Sequence, residues 1–422
     1  MFWLLENTSQ LKQFYNKGYD EVFAEVIPFH DLVHPKLNKV SLVYIRPVKG
    51  RKGFIICVDH SETISIDKSH ILALFKTYKT VYTTNQKNFL YYFTINNLVD
   101  VSFNAPEFHD ITTNAHTFFY QHHPNKLDVN RLIPVVKHYE KYENIYKQYK
   151  EYCYEQNKFY SKISKAFYAI ETNGVNINRK HFDKHFELPN DSFSVNNSRI
   201  YTSYNLHTTT GRPSNTFNSI NFGALGKDNG SRKSFIPRND YFLEIDISAY
   251  HPTLAAQLIS YPTHPEQIYA EFAKVAGVEI KEAKELMFRQ LYGGIMDKYK
   301  FWDYFEQIQD YINTLWNQYQ TVGYINCPIS GHIFHKNKLE NVNSNKLFNY
   351  VLQNLETANN VNIIWDLLKV LKGKNTKLVL YTYDAFLFDI DTDENINEEI
   401  ENVFKKYKLS TKNKIGYNYD FK

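Results

Sequence analysis

The sequence predicts a multidomain chain that combines α/β and α+β segments. Residues 21–120 mix short apolar strands with helices, and residues from about 133 to 170 follow a helical period. After residue 208 the chain alternates strands, helices and an apolar hairpin. Because 422 residues exceed the size of one ordinary domain, we expect two or three domains.

An α/β domain is predicted over residues 1–125, where branched and aromatic residues form short runs typical of strands. These runs are Phe23–Ile27, Val40–Ile45, Phe54–Val58 and Thr80–Tyr82.

A helical connector is predicted over residues 126–207. Apolar and tyrosine residues recur there at three- and four-residue steps up to Ile170, and Gly174 is a suitable helix stop. We interpret the tyrosine stripe as a packing seam. The remaining residues, 208–422, carry most of the candidate chemistry.

Composition excludes several classes of protein. Hydrophobic residues make up 43% of the chain, which is enough for real cores and argues against intrinsic disorder. The net charge of +4 is compatible with nucleic-acid binding but far from that of a histone-like protein. The three distant cysteines exclude a disulfide framework and a cysteine-based zinc module.

The chain shows no targeting segment and no membrane span. Its first residues lack a basic region, and no run of about 18 apolar residues exists. We therefore expect a cytoplasmic protein that is not secreted. Lys and Asn are abundant and Arg is scarce, so Arg212 and Arg232 mark positions where a planar, bidentate donor is expected to matter.

Two aspartates end apolar strands. Residues 242–246 read as a strand that ends in Asp246, and a helix follows with Pro252 in its first turn. Asp384 lies beside Tyr383 at the turn of an almost wholly apolar hairpin, residues 377–390. Carboxylates on adjacent buried strand ends suit a pair of Mg²⁺ ions. The alternative for each aspartate alone is a helix cap or a turn closure.

A helix is predicted over residues 278–294, with a glycine stop. Two neighbouring stripes follow its length. The stripe predicted to face the core is Ile280, Ala283, Met287 and Leu291. The second stripe, Lys281, Lys284, Phe288 and Tyr292, offers charge for a phosphate and ring faces for a base. The alternative is a solvated lysine beside a second packing stripe.

Several short motifs occur in a characteristic order between residues 163 and 422. They are Ile170-Glu171-Thr-Asn-Gly174-Val, Thr210-Gly211-Arg212, Asn218-Ser-Ile-Asn221, Arg232-Lys-Ser-Phe235, Asp246, Lys284 with Phe288, Tyr292 and Gly293, Gly323-Tyr-Ile-Asn with Gly331-His, Asn349 with Gln353, and Tyr383-Asp384. Each motif alone is weak, but the ordered set resembles the family A DNA polymerases, especially the compact versions carried by phages and mobile elements.

The resemblance implies a right-hand polymerase palm and fingers over 208–422, with the fingers at about 262–325. It implies a nucleotidyltransferase that adds dNTPs to a primer 3′-hydroxyl with two Mg²⁺ ions, Mn²⁺ being a possible substitute. Asp246, Asp384 and the carbonyl of Ile247 would hold the metals. The implied nucleotide-binding residues are Lys284, which is also catalytic, Phe288, Tyr292, His251 and Lys281.

The same resemblance implies contacts with primer–template DNA. The side chains concerned are Arg212, Asn218, Asn221, Asn349, Gln353 and Tyr383. Such contacts read shape rather than sequence, because a copying enzyme must accept every base pair.

The chain also departs from the family pattern. The family's glutamate at the end of its first catalytic motif is His251 here, which opens the question of sugar selection. Ile280 stands where the family has an arginine, with Lys281 one residue away as an imperfect substitute. Only 37 residues separate Gly174 from Gly211, so we expect a reduced or absent thumb. Weak, distributive DNA binding would follow unless a processivity partner clamps the duplex.

By the same resemblance, residues 1–125 are expected to be an inactive exonuclease-like domain. The two-acid signature is reduced to Glu25, and a later motif appears as Asn85-Gln-Lys87-Asn88 without its aspartate. Other acids that remain available for a metal site are Asp31, Asp59, Glu62, Asp100 and Asp110.

Two other functions stay open on the sequence alone. One is a sugar-tolerant or RNA-synthesising single-subunit polymerase, which His251 favours. The other is a non-catalytic DNA-binding scaffold in a replication complex.

Overall fold

The structure is a computed structural model that describes residues 3–105, 113–153, 158–186, 194–196, 198–215, 220–265 and 267–421. The chain divides into two compact units. The first contains residues 1–172 and 188–197, and the second contains residues 173–187 and 198–422.

The first part of the chain alternates strands and helices. The elements are β1 (Trp3–Leu5), α1 (Thr8–Tyr15), β2 (Glu21–Pro28), β3 (Val40–Pro47), β4 (Phe54–Cys57), α2 (Lys68–Phe75), β5 (Thr80–Thr83), α3 (Gln86–Tyr92), β6 (Leu98–Asp100), α4 (Asn114–His122), α5 (Val135–Tyr149) and α6 (Lys158–Asn173). All four strands predicted from the sequence are present.

These strands build one mixed sheet in the order β1-β4-β3-β2-β5-β6. The β2–β3 and β3–β4 pairs are antiparallel, whereas β2–β5, β5–β6 and β1–β4 are parallel. Alternate residues of β2 enter different cores: Val22 and Ala24 pack with α1, α2 and α3, and Phe23 packs with α5. The period-2 alternation therefore buries both faces of the sheet.

The predicted helical stretch from 133 to 170 forms two helices rather than one. A single 3₁₀ turn, Lys150–Tyr152, follows α5, and its tighter winding breaks the 3.6-residue phase of the stripe. The predicted stop is confirmed, because α6 ends at Asn173 and Gly174 has a φ of +62°. The packing seam is confirmed too, since Tyr142 and Tyr146 are core residues.

The residues compared above with an exonuclease motif have structural partners. Glu25 is buried in β2, where its carboxylate accepts hydrogen bonds from the Thr84 amide and the Thr83 hydroxyl. Asn85 caps α3 by accepting from the Asn88 amide. Lys87 forms a buried ion pair with Glu171, 2.6 Å from Nζ to Oε1.

No group of three or more His, Cys, Asp or Glu side chains able to hold a metal occurs among the residues that the structure describes. Asp110 lies outside those residues.

We expect Glu25 to make stability of the first unit fall as pH rises. Burial raises the pKa of Glu25 from 4.5 to about 7, so the folded state keeps a proton that the unfolded state releases near pH 4.5. Stability from this proton is complete below pH 4.5 and is lost as pH rises towards 7. From pH 4.5 to pH 7 the free energy of unfolding of Glu25→Gln should therefore rise by about 3 kcal/mol relative to that of the wild type.

Hydrogen exchange of β2 and β5 amides at pH 4.5 and pH 7.5 measures this difference. The control is Asp20→Asn at an exposed position, which should show no such change. Parallel pH profiles for wild type and Glu25→Gln would contradict the assignment.

The rest of the chain contributes β7 (Val175–Ile177), α7 (Arg179–His185), β8 (Val195–Asn196), β9 (Arg199–Ile200), β10 (Tyr204–Asn205), β11 (Ser214–Asn215), β12 (Phe235–Ile236), β13 (Tyr241–Ile247), α8 (Tyr250–Leu258), α9 (Ile268–Ala276), α10 (Ile280–Gly293), α11 (Asp303–Val322), β14 (Tyr324–Asn326), β15 (Ile333–His335), α12 (Ser344–Val370), β16 (Lys377–Thr382), β17 (Ala385–Ile390), α13 (Asn397–Lys406) and β18 (Thr411–Gly416). Within the described residues of 174–211, α7 is the only helix and has seven residues.

The second unit is organised around an antiparallel sheet in the order β16-β17-β13-β18. Strands β13 and β17 are almost wholly buried. Helix α12 is 27 residues long, and its many buried positions pack it against α8, α10, α11 and α13. The predicted strand before Asp246, the helix after it and the hairpin around Asp384 are all confirmed.

Among the helices in the described part of the chain, none has the length and apolarity needed to cross a membrane.

Candidate active site

Asp246 lies near the end of β13, just before a tight turn into α8. Ala249, in this turn, has a φ of +50°, a left-handed conformation that costs a non-glycine residue roughly 1–2 kcal/mol. Strain of this kind is often found at functional sites. The turn brings Asp246 and His251, in the first turn of α8, to the same cleft.

Asp384 lies beside Asp246 because of strand register. Asp246 pairs with Ala385, the first residue of β17. Asp384 immediately precedes Ala385 in the hairpin turn and therefore lies next to Asp246. The Ile247 amide donates to the Asp384 carbonyl at 2.9 Å, which fixes the two strand ends together. Tyr383 completes the turn with a φ of +63°. The pairing of these strands therefore places the two aspartates side by side, as predicted.

A cleft of about 450 Å³ opens beside this pair of strand ends. Its lining combines acids, cations and aromatic rings from several elements of the second unit. The lining residues are Arg212, Asp246, Ile247, Ser248, Ala249, Tyr250, His251, Pro265, Tyr269, Ala270, Ile280, Lys284, Phe288, Tyr292, Glu356, Asp384, Ser410, Thr411 and Lys412.

Three carboxylates, those of Asp246, Glu356 and Asp384, line the cleft. Burial raises the pKa of Asp384 to about 6, and the neighbouring charges of Asp246 and Glu356 add to the rise. Burial also raises the pKa of Asp246, while Lys414 opposes that shift. Two crowded carboxylates gain from a bound cation, which relieves their repulsion.

This donor set fits Mg²⁺. The ion is usually bound through one or two carboxylates, and waters and substrate phosphates complete its octahedron. Asp246 and Asp384 would supply the two carboxylates, and Ile247 lines the same cleft.

Helix α10 presents three of its four predicted side chains to the cleft. Lys284, Phe288 and Tyr292 line it, whereas Lys281 is exposed and is not among the lining residues. The prediction that Ile280 faces the core is wrong: its side chain is 50% exposed and lines the cleft. Steps of four residues from position 280 lead along one ridge of the helix to Tyr292, which explains the difference.

The ammonium of Lys284 lies 5.4 Å from the centre of the Tyr269 ring. Phe288 and Tyr292 are in ring contact, with centroids 5.7 Å apart. Phe288 and Tyr292 are each 36% exposed, so packing leaves part of both side chains accessible. The helix therefore offers a cation and two accessible aromatic side chains in one row.

Arg212 is engaged by two groups. Its guanidinium donates to Glu356 at 3.1–3.2 Å and lies 3.8 Å from the centre of the Tyr383 ring. This is the planar, stacked use of arginine that lysine cannot reproduce. Gly211 lets this loop pass close to α12, because it has a φ of +70° and a Cβ there would lie 2.6 Å from the Asn354 side chain.

Arg232 uses its planar group similarly. It donates to the Leu225 carbonyl at 3.0 Å and lies 4.6 Å from the centre of the Tyr419 ring.

The other predicted DNA-contacting residues are distributed more widely. Asn349 and Gln353 lie on successive turns of α12, and the Gln353 amide donates to Asn349 Oδ1 at 3.1 Å. Asn221 is exposed beside a 3₁₀ turn. Asn218 lies outside the described residues. None of these three described side chains lines the cleft.

Sequence reasoning missed Glu356, Asn360 and Lys412. Glu356 and Asn360 continue the stripe of Asn349 and Gln353 at helical spacing, so four polar residues follow one face of the helix. That stripe was the available signal. Lys412 pairs with Asp246 across β13 and β18, and its signal was weaker, one lysine in a short C-terminal strand.

Comparisons with known proteins give a fold and no family. No protein-family model matches the sequence, and no curated protein matches it either. Among solved structures, the chain is similar to the polymerase domain of Pol1 from M. smegmatis in complex with DNA primer-template and dNTP. The TM-score is 0.69, the identity is 12%, and the match covers 100% of both chains. The chain therefore has a DNA polymerase fold.

Proposed function

We propose that this protein is a template-directed DNA polymerase of the family A type that extends a primer with dNTPs. One observation carries the proposal: Asp246 and Asp384 meet at neighbouring strand ends, and Lys284 of α10 lines the same cleft. The similar solved structure holds primer-template DNA and a dNTP, which are the substrates proposed here.

Asp246, Asp384 and the Ile247 carbonyl would hold Mg²⁺, with Mn²⁺ as a substitute. When bound, the ions would supply activation of the primer hydroxyl and neutralisation of the triphosphate. The raised pKa values of both aspartates support a site built for cations.

The chain's own residues have distinct proposed tasks. Lys284 binds the triphosphate and can provide a proton to the leaving pyrophosphate. Phe288 and Tyr292 pack against the incoming nucleotide and the template base, since base stacking on aromatic rings tolerates every sequence. Arg212 also lines the cleft, and its proposed task is to contact the primer terminus.

A second candidate is a polymerase that also accepts ribonucleotides. His251 favours it, because the family glutamate that helps to exclude the 2′-hydroxyl is absent and His251 lines the cleft in its place. For the first unit we propose an exonuclease-like relic, since Asn85 and Lys87 serve as a helix cap and an ion-pair partner.

Primer extension tests the proposed function. A labelled primer on a template with a 5′ overhang is incubated with Mg²⁺ and either dNTPs or NTPs. We expect extension to the template end with dNTPs, which EDTA stops. Equal extension with NTPs would favour the sugar-tolerant candidate. Binding of DNA without extension in Mg²⁺ or Mn²⁺ would overturn both and favour the scaffold.

A further inference from the structure

Glu356 is a buried carboxylate with two cationic or polar partners and no assigned role. Its side chain is 1% exposed. Arg212 donates to Oε1 from Nε at 3.2 Å and from Nη2 at 3.1 Å, and the Nε2 atom of His251 is in direct hydrogen-bond contact with Oε2. A buried carboxylate is costly unless its oxygens are satisfied in this way.

The hydrogen bonds continue from His251 to the helix that faces the cleft. The Tyr292 hydroxyl lies 2.6 Å from His251 Nδ1. The Glu356 carboxylate can only accept, so His251 Nε2 carries the proton that it receives. In the neutral ring Nδ1 is then an acceptor, and the Tyr292 phenol, whose pKa is raised by burial and the Glu356 charge, keeps a proton to donate to it.

Glu356 therefore connects three elements around the cleft. Arg212 comes from the loop after β10, His251 from α8 and Tyr292 from α10, while Glu356 itself lies on α12. Arg212, His251, Tyr292 and Glu356 all line the cleft. One carboxylate thus determines both the orientation of Arg212 against Tyr383 and the proton position on His251.

We propose that Glu356 is a positioning residue that fixes His251 as a hydrogen-bond acceptor for Tyr292 and so sets nucleotide binding in the cleft. This inference rests on the proposed polymerase function for its kinetic consequence. The chain places at His251 an imidazole, which has two possible tautomers, and Glu356 selects the one that can receive the Tyr292 proton. With the proton on Nδ1 instead, His251 offers no acceptor for the Tyr292 hydroxyl.

Glu356→Gln is the informative change because it keeps the shape of the side chain. Its amide oxygen can still accept from Arg212, but its NH₂ group faces His251 Nε2 as a donor. His251 must then carry its proton on Nδ1, which removes the acceptor for Tyr292. The substitution therefore removes the hydrogen bond that Tyr292 donates, while the packing is retained.

The first measurement does not depend on polymerase activity. Protein labelled with ¹⁵N-histidine reports the tautomer of each imidazole at pH 8, and His251→Gln assigns the signal. We expect the Nε2–H tautomer in the wild type and the Nδ1–H tautomer in Glu356→Gln. The same tautomer in both proteins would overturn the proposal.

The second measurement is steady-state incorporation of one dNTP. Glu356→Gln should raise KM for the nucleotide by about 10- to 100-fold, the range for loss of a charge-assisted hydrogen bond, while kcat stays within about 3-fold. In a Tyr292→Phe background the same change should have little further effect on KM, because its target is already absent.

Thr357→Val is the matched control on α12. Thr357 is buried beside Glu356 and donates only to the Gln353 carbonyl, at 3.1 Å. It should leave KM and kcat unchanged. A fall in kcat as large as the rise in KM, with both effects adding fully to those of Tyr292→Phe, would show a merely structural role for Glu356. A wild-type protein that fails to extend any primer would instead overturn the proposed function, with the tautomer result unaffected.

Discussion

Asp384→Asn is expected to reduce nucleotide incorporation by at least about 10³-fold, because metal-assisted charge stabilisation supplies several kcal/mol to the transition state. The substitution removes a negative charge and keeps the size of the side chain. Asp384 lies beside Asp246 through the pairing of Asp246 with Ala385, so neither residue alone can provide the two-carboxylate site. Single-turnover extension in saturating Mg²⁺ measures the loss.

Stability separates this loss from a folding defect. The pKa of Asp384 is raised to about 6, mainly by burial and then by Asp246 and Glu356. The folded state thus loses stability as pH rises from 3.8 to about 6, and above that range the charged group opposes folding. In EDTA at pH 8, Asp384→Asn should melt at the same temperature as the wild type or higher.

Mg²⁺ should then raise the melting temperature of the wild type but not that of Asp384→Asn. A variant that melts lower in EDTA, or that keeps full activity, would contradict the assignment of Asp384 to the metal site. Asp389→Asn is a suitable control, because Asp389 is a buried aspartate of the same strand pair that accepts from the Arg238 and Asn239 amides and does not line the cleft.

Lys284→Ala should reduce kcat/KM for the dNTP by about 10²- to 10⁴-fold, the range for loss of a positioned proton donor. Lys284 is the cation of α10 that lines the cleft, and its ammonium is held over the Tyr269 ring. Lys284→Arg keeps the charge but not the compact ammonium, so it should recover only part of the activity.

The control for this change is Lys274→Ala, an exposed lysine near the end of α9 that does not line the cleft. Pre-steady-state incorporation separates the chemical step from nucleotide binding. If Lys284→Ala incorporated dNTPs as fast as Lys274→Ala, the proposed role of α10 in phosphate binding would be wrong.

The sequence was sufficient for the centre of the candidate site. Asp246 and Asp384 each lie at the end of an apolar strand, and apolar strands of this length are typical of a buried sheet. Their side-by-side position then depends on the pairing of β13 with β17. Local patterns also predicted α10 and its glycine stop. In each of these cases the signal lies within a few residues of the side chain concerned.

Contacts between distant segments were not predictable in the same way. Glu356 meets Arg212 across 144 residues and His251 across 105, and no local pattern reports such a pairing. Ile280 was placed in the core because its first-turn position fits either of two neighbouring ridges of α10. Lys412 reaches Asp246 only through the strand order of the sheet, which periodicity does not determine.

The most direct test of the proposed polymerase is incorporation opposite a defined template base. Wild-type protein and Asp384→Asn are each given one labelled primer on four templates that differ in the first unpaired base, with Mg²⁺ and a single dNTP. The proposed function predicts that the wild type adds only the complementary nucleotide on each template and that Asp384→Asn adds none. Addition that ignores the template base, or that persists in Asp384→Asn, would contradict template-directed synthesis at this cleft.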